Sequence, residues 1–276
     1  MLRSMYSGIS GLNNHQEKLD VLGNNISNVN TFGFKKGRAT FSDMVSQQSQ
    51  GATGPTDERG GVNAQQVGLG AQMGSIDNIH TQGSLQNTNR ELDLGISGDG
   101  FFQVQEDPEE DGAISYTRAG NFYLDEEGYI VNQDGLYLIG NDEEDFAGDQ
   151  DGDGTIQIPV DAESFSVGQD GTVNFVEDGE TEVAGQIEVA QFANPEGLNK
   201  IGDNLLQESA NSGEPEISAP TADGAGELVA GTLEMSNVDL SEEFTEMITA
   251  QRGFQANTRI ITTSDEILQE LVNLKQ

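Results

Sequence analysis

The sequence predicts an α+β fold: two terminal helices pair in a coiled-coil-like core domain, and an all-β outer domain is inserted between them. Three observations lead to this prediction. Apolar residues repeat every seven positions near both ends, short alternating runs fill the middle, and Gly-rich stretches join the parts. A sustained seven-residue apolar repeat is typical of helices that wrap around one another. The predicted boundaries are 1–34 and 237–276 for the core domain, 35–67 for an extended arm or linker, 68–207 for the outer domain, and 208–236 for a return linker.

The first predicted helix carries two apolar rows and ends in an Asn-rich run, LGNNISNVN. Asn28 or Asn30 is expected to cap its C-terminus, because Asn tolerates left-handed backbone and bonds nearby peptide groups. Asn24 and Asn25 lie one turn inside the helix, where their amides can bond across packed helices and fix the register between neighbouring subunits. We therefore predict that this helix contributes the following residues to an assembly interface: Met5, Leu12, Leu19, Leu22, Asn24, Asn25, Ile26 and Val29.

The last predicted helix has the longer repeat. It begins at SNVDLSEEF, where Asp239 or Ser241 can cap the N-terminus. A neighbouring apolar row consists of Ile260, Ile267 and Leu274. Two paired helices enclose no core, so we expect other copies of the same chain to cover them. The predicted interface residues on this helix are Leu240, Met247, Phe254, Ile261 and Leu268.

The middle of the chain reads as β-strands. Runs such as FFQVQ, GTIQIPV and GQIEVAQF alternate β-branched or aromatic residues with polar ones. Turn dipeptides divide them at short intervals, which is typical of a domain built from hairpins. The predicted turns are Glu127-Gly128, Asp134-Gly135, Asp170-Gly171 and Asp178-Gly179.

The charge of the chain limits the kinds of molecule that it can bind. The chain has 48 acidic and 12 basic residues, for a formal net charge of -36. Between Phe101 and Ala230 there are 31 acidic residues and only two basic ones, Arg118 and Lys200. Such a surface repels nucleic acid and anionic lipid, which bind clustered Lys and Arg. It predicts a strongly solvated outer surface instead.

Membrane insertion is not expected. No stretch reaches the roughly 18–20 apolar residues that a membrane span requires. The start of the chain also lacks the apolar core of a cleaved secretory signal, so we expect any export to use another route.

No sequence motif indicates a catalytic site, so we expect no enzyme activity and no cofactor. The chain contains no Cys, and His80 has no recognisable Ser or Asp motif around it. A carbohydrate-acting enzyme with two carboxylates stays a formal alternative, although carboxylates are abundant everywhere in the chain.

A calcium site is the one metal hypothesis. Asp149, Asp151 and Asp153 in DQDGDGTI match the first half of a calcium loop, with Gly154 at its turn. The second half does not match, because Val160 stands where a bidentate Glu is expected. A calcium-binding surface or adhesion module is therefore an alternative function.

Four segments resemble the flagellar rod and hook protein family. They lie at 2–38, 81–104, 116–140 and 233–275, and include LRSMYSGISGLNNHQ, TQGSLQNTNRELDLG, YTRAGNFYLDEEGYI and AQRGFQANTRIITTSDEIL. The resemblance implies a structural subunit of the flagellar hook. Such subunits polymerise into a flexible helical tube that joins the rod of the basal body to the filament and transmits torque. The alternative is the distal rod protein, since chain length and a single β-domain fit it as well.

The resemblance also implies partners and a location. The partners would be further copies of this chain, rod proteins, hook cap and hook–filament junction proteins, and the flagellar type III export apparatus. The chain would reside in the hook and basal body, outside the cell, after export without a cleaved signal peptide. The step Arg252-Gly253-Phe254 favours the hook, because an Arg-Ala-Tyr-like step is expected in the distal rod.

Overall fold

The computed structural model describes residues 2–55, 59–106, 113–142, 154–222 and 224–274. The chain divides into two compact units. The helical unit consists of Met1–Ser27, Gly37–Asn78 and Asp239–Gln276, and the β unit consists of Asn28–Lys36 and Ile79–Val238. Two long helices and many strands agree with the predicted α+β class, whereas coiled-coil packing and an all-β outer domain stay predictions.

Helix α1 spans Leu2–Ser27 and helix α2 spans Leu240–Asn273. Asp239 caps α2: its carboxylate accepts hydrogen bonds from the backbone N–H of Ser241 at 2.8 Å and of Glu242 at 3.4 Å. Of the two predicted N-terminal caps, Asp239 and Ser241, it is therefore Asp239 that caps the helix. With 34 residues, α2 is about 51 Å long, at ~1.5 Å per residue.

The two helices run antiparallel within the helical unit. Gly8 on α1 faces Ile261 on α2, and further along α1 the Lys18 ammonium lies 2.9 Å from the Glu246 carboxylate. Residue numbers thus rise along α1 while they fall along α2. The ion pair is partly exposed, so it contributes little to stability compared with the apolar contacts.

Glycines permit close approach of the helices at two places. A Cβ added to Gly11 would lie 2.6 Å from the Asn257 side-chain nitrogen, and one added to Gly253 would lie 2.5 Å from the His15 ring. Real Cβ atoms do not come that close to other heavy atoms, so each glycine makes room for a partner side chain on the other helix.

Four strands complete the helical unit. Strand β1 (Gly37–Asp43) pairs antiparallel with β4 (Ala71–Asn78), and β2 (Ser46–Gln50) pairs antiparallel with β3 (Gln65–Gly68). Every residue of β2 and β3 is exposed. The sequence predicts an extended arm over 35–67, and much of that segment consists of these paired strands.

The strands of the β unit pair antiparallel throughout the described residues. Thirteen of them, β7 to β19, form one sheet, while β5 pairs with β21 and β6 with β20. Their bounds are β5 Leu85–Asn87, β6 Leu94–Ser97, β7 Phe101–Gln105, β8 Ser115–Thr117, β9 Tyr123–Leu124, β10 Ile130–Val131, β11 Tyr137–Asp142, β12 Gly154–Thr155, β13 Ser164–Val167, β14 Thr172–Glu177, β15 Glu180–Ile187, β16 Val189–Gln191, β17 Asn199–Gly202, β18 Leu205–Gln207, β19 Glu216–Ser218, β20 Glu227–Ala230 and β21 Thr232–Glu234.

The segment 208–236 differs from the predicted return linker, because it contains β19, β20 and β21. Pro, Gly and Ser dominate its composition, which is typical of a connector. Its few large apolar residues nevertheless pack inside the β unit: Leu228 is fully buried and Leu233 is 4 % exposed. Strands of three or four residues carry too little alternation to be recognised from sequence.

All four predicted Xaa-Gly turns are present. Gly128, Gly135, Gly171 and Gly179 each have a φ between +82° and +89°, a conformation that favours glycine. The core that these turns connect is apolar and aromatic. At its centre Phe102 and Phe122, both fully buried, meet edge to face with ring centroids 5.2 Å apart.

Neither α1 nor α2 is apolar enough over its length to cross a membrane, and the described residues contain no other long helix.

Candidate assembly surface and buried ion cluster

The predicted interface residues differ in their burial within the single chain. Leu22 is buried at 4 % exposure, Leu240 at the start of α2 is 39 % exposed, and Asn24 is exposed. Val29 follows α1 and belongs to the β unit. The remaining apolar members are partly buried: Met5, Leu12, Leu19, Ile26, Met247, Phe254, Ile261 and Leu268. Their contact with other subunits stays a prediction.

A second apolar row on α2 is exposed. Ile260 is 43 %, Ile267 48 %, Leu271 50 % and Leu274 83 % exposed, and we call these four residues the exposed α2 row. An aligned row of large apolar side chains on a long helix marks an interaction surface. The sequence had already shown Ile260, Ile267 and Leu274 at seven-residue spacing, but they were not predicted as interface residues. Their spacing is the signal that would have found them.

Exposed apolar residues also lie in the first turns of both helices. Phe244 and Ile248 in the first turns of α2 are 49 % and 52 % exposed, and Tyr6 and Ile9 on α1 are 67 % and 43 % exposed. Each helix therefore exposes apolar side chains in addition to those that are buried or partly buried.

Asn25 connects three parts of the helical unit. It is 2 % exposed, and its side-chain N–H donates to the Gly37 carbonyl at 2.9 Å and to the Glu243 carboxylate at 3.0 Å. The Gly37 N–H in turn donates to the Asn25 oxygen at 2.9 Å. The amide that was predicted to fix the register between subunits is thus satisfied within one chain, where it holds α1, β1 and α2 together.

Replacing Asn25 by Ala should destabilise the helical unit by about 2–4 kcal/mol, because buried polar groups of Gly37 and Glu243 would lose their partner. The measurement is thermal unfolding followed by far-UV circular dichroism. Asn13→Ala, at an exposed site on the same helix, is the control and should leave stability unchanged or slightly raised. Equal melting of the two variants would contradict the assigned role of Asn25.

A buried ion cluster lies in the β unit. One oxygen of Glu234 accepts from the Lys35 ammonium at 2.7 Å, and the other accepts from the Arg118 guanidinium at 3.1 Å. All three side chains are at most 4 % exposed. The Gly83 N–H also donates to Glu234 at 2.8 Å. The cluster joins the segment after α1 to the last strand before α2 inside the β unit.

Each of the two cations also donates to a backbone carbonyl. Lys35 donates to the Thr81 carbonyl at 2.9 Å, and Arg118 donates to the Gly98 carbonyl at 2.7 Å. Burial lowers the pKa of Lys35 and of Arg118, and the negative charge of Glu234 partly offsets that shift in both. A buried pair of this kind needs each partner, because an uncompensated charge in the interior is costly.

His80 lies beside this cluster, edge to face with Phe101 at 5.7 Å. Burial, followed by the positive charges of Lys35, Arg118 and Lys200, lowers the pKa of His80 to about 4, and Glu234 opposes this shift. His80 is therefore neutral at pH 7. The sequence assigned it no role.

This lowered pKa predicts a pH effect. In the unfolded chain His80 takes up a proton near its ordinary pKa of 6.5, whereas the folded protein resists protonation down to about 4. The unfolded state thus binds more protons in that window, so stability should fall as pH falls from about 6.5 to 4. Replacing His80 by Gln should remove this contribution. Urea unfolding at several pH values checks it, and an unchanged pH slope in the variant would contradict it.

The calcium hypothesis is not tested. Asp149, Asp151 and Asp153 lie outside the described residues. Within the described part of the chain, no three His, Cys, Asp or Glu side chains form a group that could hold a metal ion.

Three family models match the chain. They are the flagellar hook protein FlgE/F/G D1 domain over residues 95–175, the flagellar basal body rod FlgEFG protein C-terminal over 229–274, and the flagella basal body rod protein over 5–35. The matched parts cover both helices and much of the β unit.

Curated relatives match over the whole chain. The flagellar basal-body rod protein FlgG of Bacillus subtilis is 55 % identical over 278 residues, covering 100 % of both chains. That of Caulobacter vibrioides is 37 % identical over 278 residues, covering 99 % of this chain and 100 % of the relative. The flagellar hook protein FlgE of Borreliella burgdorferi is 33 % identical over an alignment of 445 residues, covering 100 % of both.

Proposed function

Because this chain belongs to the flagellar rod and hook protein family, we propose that it is a structural subunit of the rod in the flagellar basal body. The observation that carries the proposal is its 55 % identity, over the full length of both chains, to a relative named as a rod protein. The similar hook protein is 33 % identical, and its alignment of 445 residues with a chain of 276 contains long insertions. The names of these relatives denote parts of the flagellum, which agrees with a structural and non-enzymatic role.

The rod replaces the hook as the favoured assignment. The hook was preferred on the step Arg252-Gly253-Phe254, in which Gly253 stands where Ala was expected in a rod protein. Gly253 faces the His15 ring within the same chain, at a distance that leaves no room for a Cβ. The packing of α1 against α2 thus accounts for a glycine at position 253. The step Arg252-Gly253-Phe254 therefore does not distinguish a rod subunit from a hook subunit.

The exposed α2 row supports an assembly mechanism. A pair of helices buries one face of each helix and leaves the next apolar face in water, at 43 % to 83 % exposure in this row. A second copy that covers the row would present its own exposed row to a third copy. Contacts of this head-to-tail kind do not close on themselves, and they produce helical filaments or tubes.

The charge distribution supports an orientation within such a tube. Only two basic residues accompany 31 acidic ones between Phe101 and Ala230. Like-charge repulsion favours placing this section where water and salt screen it. In the proposed rod, the section would therefore face the surroundings of the tube, and the helices would form the wall of its channel.

The partners of the proposed rod subunit would be other copies of the chain, the adjoining rod and hook proteins, and the flagellar type III export apparatus. Export through that apparatus would deliver the chain to the growing end of the structure. The calcium-binding alternative has no support from the described residues.

Immunoelectron microscopy of purified hook–basal bodies tests the assignment. An antibody raised against this chain should label the rod, below the curved hook. Antibody that has first been saturated with the purified chain is the control for specificity and should give no labelling. Labelling along the curved hook would contradict the proposal and restore the hook assignment.

A further inference from the structure

The chain crosses between the helical unit and the β unit four times, at 27/28, 36/37, 78/79 and 238/239. We call the last three crossings the joint. Motion of one unit against the other requires backbone rotation at such crossings, because hinges are a few residues in loops or at the ends of elements that absorb changes in φ and ψ. The hydrogen bonding of the crossing residues therefore decides how freely the joint can move.

Two of the three crossings lie side by side. In the helical unit, Gly37 of β1 is paired with Asn78 of β4. One residue further along each strand, within the β unit, the Ile79 N–H donates to the Lys36 carbonyl at 2.9 Å. In a regular antiparallel ladder, a pair that forms this bond also forms a second one, from the Lys36 N–H to the Ile79 carbonyl. Here the side chain of Asn237 bridges those two groups instead.

The Asn237 carboxamide bonds both backbone groups. Its Oδ1 accepts from the Lys36 N–H at 2.8 Å, and its Nδ2 donates to the Ile79 carbonyl at 2.8 Å. Nδ2 also lies 3.2 Å from the carbonyl oxygen and 3.0 Å from Oγ1 of Thr81. A carboxamide suits this position because one of its ends accepts hydrogen bonds and the other donates them.

Asn237 itself belongs to the third crossing. The chain leaves the β unit one residue later, after Val238, and Asp239 then caps α2. One side chain thus connects the third crossing to the other two. With Asn237 in place, the N–H and the carbonyl of both Lys36 and Ile79 are hydrogen-bonded. Neither residue can change its φ and ψ by a large angle without breaking one of these bonds.

From this geometry we propose that Asn237 holds the joint in one conformation and so restricts motion of the helical unit against the β unit. The proposal concerns the single chain and does not depend on its assignment to the rod. One consequence does rest on the proposed function: in a rod, a restricted joint would make the β unit turn together with the helices that form the wall.

Distances between two spin labels measure this motion in the full-length monomer. The chain has no Cys, so labels attach only where Cys is introduced: Asn13→Cys, exposed on α1, and Glu182→Cys, exposed on β15. Double electron–electron resonance gives the distribution of distances between the two labels. In this labelled protein, Asn237→Ala should widen the distribution at least twofold, because Lys36 and Ile79 lose the partner that they share.

Two further variants define the cause. Asn237→Asp keeps the size of the side chain and can still accept from the Lys36 N–H, but its carboxylate cannot donate to the carbonyls of Ile79 and Thr81. It should therefore widen the distribution as well. Asn199→Asp, the same change at an exposed residue of β17, is the control and should leave the width as it is.

Circular dichroism in the near and far ultraviolet shows whether each variant stays folded. Widening in either Asn237 variant, with the β unit folded and the Asn199→Asp control unchanged, supports the proposal. Unchanged widths in both Asn237 variants, or equal widening in the control, would overturn it. Unfolding of the β unit in both Asn237 variants would overturn it too, because Asn237 would then stabilise the whole unit and not the joint.

Discussion

Replacing both Ile260 and Ile267 by Asp will prevent assembly of the protein while leaving the monomer folded. The two side chains are 43 % and 48 % exposed in the single chain, so the monomer can accept a charge at each position. In a polymer that covers the exposed α2 row, the same positions would be buried. Burial of an Ile contributes about 1.5–3 kcal/mol, and a buried unpaired charge adds a further cost.

The loss therefore exceeds about 3 kcal/mol per subunit contact, which corresponds to an increase of at least about 100-fold in the critical concentration for assembly. Sedimentation of assembled from soluble protein measures this concentration, and electron microscopy shows whether tubes are present. Far-UV circular dichroism of the variant should match that of the unmodified monomer.

The control adds the same two charges elsewhere. Val160→Asp together with Leu124→Asp changes two apolar residues of the β unit, 75 % and 39 % exposed. This variant should assemble at nearly the concentration that the unmodified protein requires. If the Ile260/Ile267 variant formed tubes at that concentration, the exposed α2 row would not be part of the assembly interface.

Replacing Glu234 by Gln should destabilise the β unit by about 3–5 kcal/mol, the usual cost of breaking a buried ion pair from one side. The change leaves Lys35 and Arg118, each 4 % exposed, without their common counter-charge. Urea unfolding followed by near-UV circular dichroism provides the measurement. Glu227→Gln, at an exposed position of the neighbouring strand β20, is the control and should change stability by less than about 0.5 kcal/mol.

A double variant separates charge from packing. In the Glu234→Gln protein, the further change Lys35→Met removes one of the two uncompensated cations. It should therefore lower the free energy of unfolding by less than the same Lys35→Met change does in the unmodified protein. The expected difference is about 1–3 kcal/mol, within the range of coupling found for residues in contact. If the losses in the free energy of unfolding were strictly additive, Lys35 and Glu234 would not be coupled electrostatically.

The features that the sequence predicted well are those encoded locally. The sevenfold repeats predicted α1 and α2, Asp239 was among the predicted caps, and each of the four Xaa-Gly dipeptides forms a turn. In each case the decisive residues are neighbours in the chain, because helix periodicity, capping and positive φ are properties of a few consecutive residues.

The features that the sequence did not predict depend on residues that are far apart along the chain. Lys35 and Glu234 are 199 positions apart, and nothing near either of them in the sequence indicates an ion pair. Asn25 and Glu243 are separated by 218 positions, so the amide could be recognised as unusual but not matched with its partner. The strands in 208–236 were missed for a related reason, since β5, β6 and β16, with which they pair, lie earlier in the chain.

The choice between rod and hook shows a different limit. A single step such as Arg252-Gly253-Phe254 reports the local packing of a helix and not the kind of tube that the helix builds. Identity over the whole chain integrates many such positions, and it favours the rod.

Assembly of the chain should cover the exposed α2 row, and the reactivity of a thiol placed in this row measures whether it does. The chain has no Cys, so Ile267→Cys introduces a unique reactive group, and Val160→Cys in the β unit provides the reference. In the monomer, a maleimide should modify both thiols rapidly, and assembly should slow modification at position 267 at least tenfold relative to position 160. Equal modification of the two thiols in assembled tubes would show that the exposed α2 row stays open to solvent and is not an assembly interface.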